Sequence, residues 1–408
     1  MQVGGSSEGS RLYRRLAWAA GFVALYVLFD WLSYIRPYSN LDITPWNPPP
    51  GIALAFLLVR GIRWTPLVLF AALISDGVTR HFAAPMGWTM LADLMPVLGY
   101  SIAAWLLLHV LSFNHRLSSL RDVMLLLGMT VAASLLVACG FIGVYYLAGI
   151  IPAEDVWGTW MRYWIGDMIG VSIFAPLCLT VGQRPLPPLR APVGWWTNLA
   201  QALSILLALW IVFGGDLAQN PTLYYPLFLP LIWVGAWHGL QGVAIALFAT
   251  QVGMVVAVEQ ARLDAEKVTE VQFFLLALTL CCLFLGAIVT ERRQVRLALR
   301  DSQARLKAIV DVAPEGMLTL DAEGHIETAN PAFLRLSGRT VDDLLGRRAV
   351  DLFPTIAGLL DGNGGEGWLA RPDGVNLPVE VSLGETELSS GRLRVVAVHD
   401  MSRHPPPG

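Results

Sequence analysis

Charge is what this sequence has least of. Only 14% of its 408 residues are Asp, Glu, Lys or Arg, where a soluble domain carries about 25%, and the mean hydropathy is +0.56. With 55% hydrophobic residues and 15 tryptophans, there is too little polar surface to cover a water-soluble core. A soluble globular enzyme and a disordered chain are both excluded. Cysteine is scarce too. Cys139, Cys178, Cys281 and Cys282 all lie in apolar runs without metal-ligand spacing, so neither a zinc site nor a disulfide scaffold is indicated. Catalytic signatures are also missing: there is no Walker loop, no Gly-x-Ser-x-Gly, no His-Glu-x-x-His, no set of Asn/Gly-rich ATP boxes and no Gly-Gly-Asp-Glu-Phe. No catalytic activity of the chain's own is expected, and no nucleic-acid partner.

What is present is a series of apolar runs near the roughly 20 residues that cross a bilayer. Five are long, at 16–35, 88–111, 123–150, 163–181 and 271–290; shorter ones lie at 51–59, 65–76, 199–213, 223–237 and 242–258. Eight to ten spans result, eight if the pair at 51–76 is a re-entrant hairpin. Arg11, Arg14 and Arg15 precede the first run, which ends in Tyr34, Ile35, Arg36 without a small-residue cleavage site and so is read as retained. With ten spans and a cytoplasmic N-terminus, twelve arginines fall inside, among them Arg60, Arg63, Arg121, Arg184, Arg190 and Arg293, and five basic residues outside, among them Arg36, Arg80 and Arg262. The same orientation delivers the C-terminal part to the cytoplasm. The charge supports two different objects: residues 1–300 carry net +3 and residues 301–408 net −6.

Three membrane features stand out. In Trp46, Asn47, Pro48, Pro49, Pro50, Gly51, three prolines remove backbone donors. The segment is either a stiff loop feeding a helix at its first turn or non-helical backbone covered by protein. In Trp164, Ile165, Gly166, Asp167, Met168, Ile169, Gly170, two glycines four apart share a face suited to close packing, and Asp167 lies beside that seam. Such a carboxyl is either a structural, hydrogen-bonded group or a functional one. Asp30, Asp76, Asp93 and His109 also lie in or at the ends of apolar runs. Asp93, three residues before Pro96, is placed to satisfy backbone groups the proline frees. Asp93 and Asp167 are candidates to share a polar pocket, and Trp46, Asn47, Pro48, Asp93, Trp164 and Asp167 form the candidate ligand-sensing set.

From Glu291 the composition turns charged, and Val295, Leu299, Ser302, Leu306, Ile309 and Ala313 follow spacings of 4, 3, 4, 3, 4 with no breaker before Pro314. The pattern fits a parallel coiled-coil connector, or one amphipathic helix packed on its own domain. Residues 316–402 then read as an α+β unit: strands at 316–321 and 324–328, short helices at 331–336 and 341–345, and strands around Leu369, at 377–384 and at 392–398, the first two of these joined through Pro372-Asp373-Gly374.

The Trp46–Gly51 approach, Arg60–Trp64 with Pro66, Trp164–Gly170 with Ala175-Pro176, and Leu229-Pro230-Leu231 leading to Gly239 and Gly242 resemble the first-described membrane-associated sensor domain of bacteria, MASE1. One departure is Trp237-His238, where the family pattern suggests a basic residue. The order strand, strand, helices, three strands, with Gly324, Asn330-Pro331-Ala332-Phe333, Leu345-Gly346-Arg347, Asp373-Gly374 and Asp400-Met401-Ser402-Arg403, resembles a PAS domain. The implied fold is a polytopic α-helical membrane bundle of 8–10 spans plus a cytoplasmic α+β PAS domain. Its expected segments are a tail at 1–15, the sensor at 16–290, a connector at 291–313, PAS at 314–403 and a tail at 404–408.

The resemblance implies a bacterial inner-membrane, multi-pass sensor from a histidine kinase or diguanylate cyclase, homodimeric through connector and PAS. It would sense an unknown small ligand or membrane state, with its output module absent from this chain. Leu299, Leu306, Ile309, Asp400 and Ser402 would relay the signal, and Asn330, Phe333 and Trp368 would line the PAS pocket. No cofactor is expected. The absence of cysteine beyond Cys282 excludes covalent flavin or thioester chromophores, and His325, His399 and His404 are misplaced for haem, while a non-covalent small ligand stays open. The alternatives are a polytopic transporter regulated by its PAS domain, in which Asp30, Asp93 and Asp167 would be ion or proton sites, and a membrane enzyme, for which no nucleophile or metal cluster is evident.

Overall fold

Long apolar runs without internal breakers form helices because hydrocarbon forces the backbone to bond to itself. In the computed structural model, which describes residues 5–33, 46–82, 84–181, 192–213, 224–261, 265–354, 364–388 and 391–403, they do so throughout the first two thirds. The helices are α1 (Gly5–Ser33), α2 (Pro48–Arg60), α3 (Thr65–Thr79), α4 (Met86–Trp105), α5 (Leu120–Leu147), α6 (Val156–Val181), α7 (Pro192–Phe213), α8 (Phe228–Ala261) and α9 (Ala265–Val312). A wide turn, Leu106–Val110, continues α4 and carries His109, whose ring stacks on Trp105. Arg36, Arg184, Arg190 and Arg262 lie outside the described residues.

Eight of these helices are long and apolar enough to cross a membrane; α2, with 13 residues, is not. From Phe228 on, the two runs expected up to 237 and at 242–258 fall in α8, which counts once by length and composition although Gly239 (φ 66°, ψ −154°) breaks it. Glycine alone adopts that conformation readily. A Cβ on Gly235 would stand 2.9 Å from the Val243 side chain, whereas residues eight apart in a straight helix are about 12 Å apart. The two halves of α8 therefore fold back on each other.

The bundle has a buried axis. In α6, 78% of the most apolar stretch is covered by protein, against 22–44% in the other seven spans. Against it lies α2, with ten of its residues buried. The two backbones touch because Gly51 and Gly170 face each other: a Cβ on Gly51 would sit 2.9 Å from the Gly170 carbonyl, and one on Gly170 would overlap the Asn47 carbonyl. Both ends of the bundle are identifiable from contacts. At one, the Arg60 guanidinium lies 4.1 Å over the Trp18 ring, Leu120 N–H donates to Glu291, and Arg293 donates to the Trp237 carbonyl. At the other, Asp30 meets Arg80.

By Cα proximity the chain divides into two compact units, Met1–Gln294 and Val295–Gly408, and α9 runs without interruption from the first into the second. The second unit is an antiparallel five-stranded sheet of β1 (Gly316–Leu320), β2 (Ile326–Ala329), β3 (Gly365–Ala370), β4 (Asn376–Leu388) and β5 (Gly391–Asp400), in the order β2-β1-β5-β4-β3. Between β2 and β3 lie α10 (Pro331–Ser337) and α11 (Val341–Leu344), the latter started by a Thr340–Asp343 capping box. Alternation buries Val379 and Val381 of β4, Val396 and Val398 of β5 and Leu318 and Leu320 of β1 against Phe333 and Phe353. Strands β4 and β5 extend beyond the runs expected for them, each lengthened by the other's ladder.

Candidate functional site

The polar residues that the apolar runs carry converge at the Asp30 end of the bundle. Asp30, near the end of α1, accepts both guanidinium nitrogens of Arg80 at 3.1 and 3.2 Å and the Ser75 hydroxyl at 2.7 Å. Asp76, four residues before Arg80, lies 3.5 Å from the same guanidinium. Asp93, in the second turn of α4, is 9% exposed, and its Oδ2 has no hydrogen-bond partner. With Tyr26, Asn47 and Tyr163 these groups line a cavity of about 60 Å³. Three carboxyls thus face one arginine in a largely apolar surround, where uncompensated charge is costly.

Asp167 sits behind this cavity rather than in its wall. It is fully buried, and its two oxygens accept from Asn47 Nδ2 at 2.9 Å and from the Tyr100 hydroxyl. The Asn47 backbone N–H also donates to the Gly166 carbonyl at 3.1 Å. The Trp46–Gly51 segment is therefore protein-covered backbone followed by a helix whose first turn takes the prolines, Pro48 at its start. Asn47 joins the cavity on one side to Asp167 on the other. Trp46 is buried against Phe174. Trp164 stacks on Trp160, with its indole N–H buried and without a hydrogen-bond partner.

Residues 15–293 match the MASE1 family, and residues 304–372 match the PAS domain family. The chain belongs to the MASE1 family. Its second unit is a PAS domain, in keeping with the sheet order described above. Among solved structures, the chain is similar to the PAS domain of an HTR-like protein from Haloarcula marismortui, with 26% identity, covering 27% of this chain and 99% of that one, TM-score 0.25. It is also similar to the PAS domain of nitrogen regulation protein NR(II) from Vibrio parahaemolyticus, with 20% identity, 23% and 96% coverage and TM-score 0.21. A domain of a sensory box sensor histidine kinase/response regulator from Geobacter sulfurreducens matches with 24% identity, 24% and 95% coverage and TM-score 0.21.

Within this MASE1–PAS chain the remaining expected sites fall as follows. Asn330 is a buried tie between backbone segments of the PAS domain. It is 3% exposed, and its side chain makes four hydrogen bonds: it accepts from Met317 and Phe333 N–H and donates to the Val310 and Glu315 carbonyls at 2.8–3.0 Å. It ties the end of α9 to β1 and α10. Trp368 is 47% exposed, because it alternates with buried Leu369 along β3 and so faces outward. Phe333 is fully buried in the core. Asp400 accepts from the Ser402 N–H at 2.9 Å and its hydroxyl at 2.6 Å, fixing the turn after β5. Leu299, Leu306 and Ile309 are 57–62% exposed on α9.

The expectation that Asp93 would satisfy backbone freed by Pro96 is not met at Oδ2, which bonds nothing. Asp93 and Asp167 do not share one pocket; they lie on either side of Asn47. The candidate set omitted Tyr26, Asp76, Arg80, Tyr100 and Tyr163. Arg80 looked like a loop charge, and only its distance of 50 residues from Asp30, closed by the fold, reveals the pair. Tyrosines in apolar runs carry no signal that tells a wall from a core.

Proposed function

We propose that this membrane signalling sensor detects a small molecule in the Asp30–Asp93 cavity and relays occupancy through α9 to its PAS domain, and from there to an output partner, a histidine kinase or a diguanylate cyclase. The observation that carries the reading is the root of α9. Thr290 accepts the Leu240 N–H where α8 restarts after Gly239, Glu291 accepts the Leu120 N–H at the start of α5, and Arg293 donates to Trp237. One helix thus holds the ends of three bundle segments and continues to Val312, beside the carbonyl that Asn330 reads. A shift of the bundle between two packings would move that root and the relay with it.

Orientation and assembly belong to the same proposal. The end of the bundle marked by Arg60 and Glu291 carries Arg60, Arg63, Arg116, Arg121, Arg292, Arg293 and Arg296, against Arg80, Arg162 and Lys267 for the other end. The basic end is assigned to the cytoplasm of the bacterial inner membrane, with the PAS domain. The exposed seam of Val295, Leu299, Leu306 and Ile309 is assigned to a parallel homodimer.

The test is output measured in cells that co-express the partner enzyme. Asp167→Asn and Thr290→Val are expected to abolish stimulus-dependent output while leaving membrane insertion and folding intact. Unchanged output in both would overturn the relay. Proton or ion uptake into proteoliposomes by the same chain would replace the reading with a transporter carrying a regulatory PAS domain.

A further inference from the structure

The chemistry of the cavity narrows what it takes. Of its three carboxyls, Asp30 is satisfied by Arg80 and Ser75, and Asp76 shares the same guanidinium. Asp93, which lines the cavity, is left with a buried oxygen that nothing in the protein bonds. A hydrogen-bond donor of positive charge is the missing complement. The walls add to this preference. Tyr26, Phe141 and Tyr163 present rings to the space, Phe141 and Tyr163 being stacked at 4.6 Å, and ring faces attract cations.

One observation decides against a metal ion: among the described residues the group of acidic and His ligand atoms close enough to share an ion is Asp321, Glu323 and His325 in the PAS turn, not the carboxyls of the cavity. Size is compatible with a small organic cation: the space of about 60 Å³ is several times the roughly 10–15 Å³ that holds one water, enough for a short-chain ammonium.

The geometry points to this cavity as the binding site of a small primary ammonium group, with Asp93 accepting its N–H and the Tyr26, Phe141 and Tyr163 rings flanking its carbons. The ammonium belongs either to a free short-chain amine or to the ethanolamine headgroup of a lipid. The assignment deepens the sensor reading, on which its consequence rests, but binding itself is measured without any output.

The experiment uses the full chain in phosphatidylglycerol nanodiscs, titrated with methylammonium chloride against sodium chloride at equal ionic strength, with the thermal midpoint followed by exposure of the buried Cys282 thiol. Saturable stabilisation by methylammonium and not by sodium is expected, with at least tenfold weaker apparent affinity in Asp93→Asn and several-fold weaker affinity in Phe141→Leu. If phosphatidylethanolamine in the disc raises the midpoint of the wild type but not of Asp93→Asn, and methylammonium then adds nothing, the group is a lipid's; stabilisation by methylammonium in either disc makes it a free amine's. Equal shifts with sodium, or an unchanged response in both variants, would overturn the assignment. Should Asp93→Asn fail to fold, Phe141→Leu decides. Binding without any change in cellular output would leave the site standing and remove the sensor reading.

Discussion

Among the described residues two Asn-Pro steps start helices, Asn47-Pro48 in the membrane and Asn330-Pro331 in the PAS domain, and they use the same side chain differently. Asn330 caps its own helix by accepting the Phe333 N–H and adds three further bonds to the backbone around it. Asn47, before Pro48, makes no cap bond; its amide crosses to Asp167 on another helix. In the PAS domain the local backbone has groups left over, at the end of α9 and the start of β1, and the amide collects them. In the bundle, regular helices leave few such groups, and the strongest unsatisfied partner is a buried carboxyl. The same dipeptide marks a junction in one region and a polar site in the other.

The largest effect is expected on the PAS side of this comparison. Asn330→Ala removes four bonds and leaves buried partners unsatisfied, a loss of about 3 kcal/mol, read as faster hydrogen exchange in β1 and β5 peptides; an unchanged exchange rate would show that water replaces the amide. On the membrane side, Gly170→Ala forces the Asn47 carbonyl off α6. Overpacking of this kind costs about 2–3 kcal/mol, measured as a lower temperature for exposure of the Cys282 thiol. Asn47→Ala should cost less, about 1–2 kcal/mol by the same assay, since Tyr100 still bonds Asp167. A cost equal to that of Asn330→Ala would erase the distinction between the two asparagines. Asp93→Asn removes a buried charge whose Oδ2 bonds nothing and should raise stability slightly, by about 1 kcal/mol.

The smallest effect concerns pH and is confined to the PAS domain. The backbone N–H of His325 holds the Asp321 carboxyl below its ordinary value of 3.8, and the Thr340 hydroxyl does the same for Asp343. A carboxyl depressed in the folded state stabilises the domain above its unfolded pKa, and that contribution fades as pH falls through the folded value. The unfolding midpoint should therefore drop slightly below pH 3.8 and more shallowly in Asp343→Asn; a midpoint that rises on acidification would contradict the sign.

Much of this molecule is legible residue by residue. Runs of apolar residues, the Asp-Gly turn before β4 and the glycine pair of α6 act through local geometry, so periodicity and turn chemistry reveal them without knowledge of neighbours. The break at Gly239 was visible as a gap between two apolar runs, although not that Thr290 and Arg293 of α9 secure it. The outward face of Trp368 is set by the register of β3 against β4, which the residues of β3 alone do not show.

Sequence alone thus determined the class of each segment: which parts lie in lipid, which fold as an α+β domain, and where one gives way to the other, because hydropathy and its period are properties of consecutive residues. Only the tertiary structure decided which polar groups meet. Asp30 finds Arg80 across 50 residues and Asp167 finds Asn47 across 120, while Asp93 is left open beside them. Partnership between side chains depends on how helices cross, and helix crossing is set by the packing of all of them together.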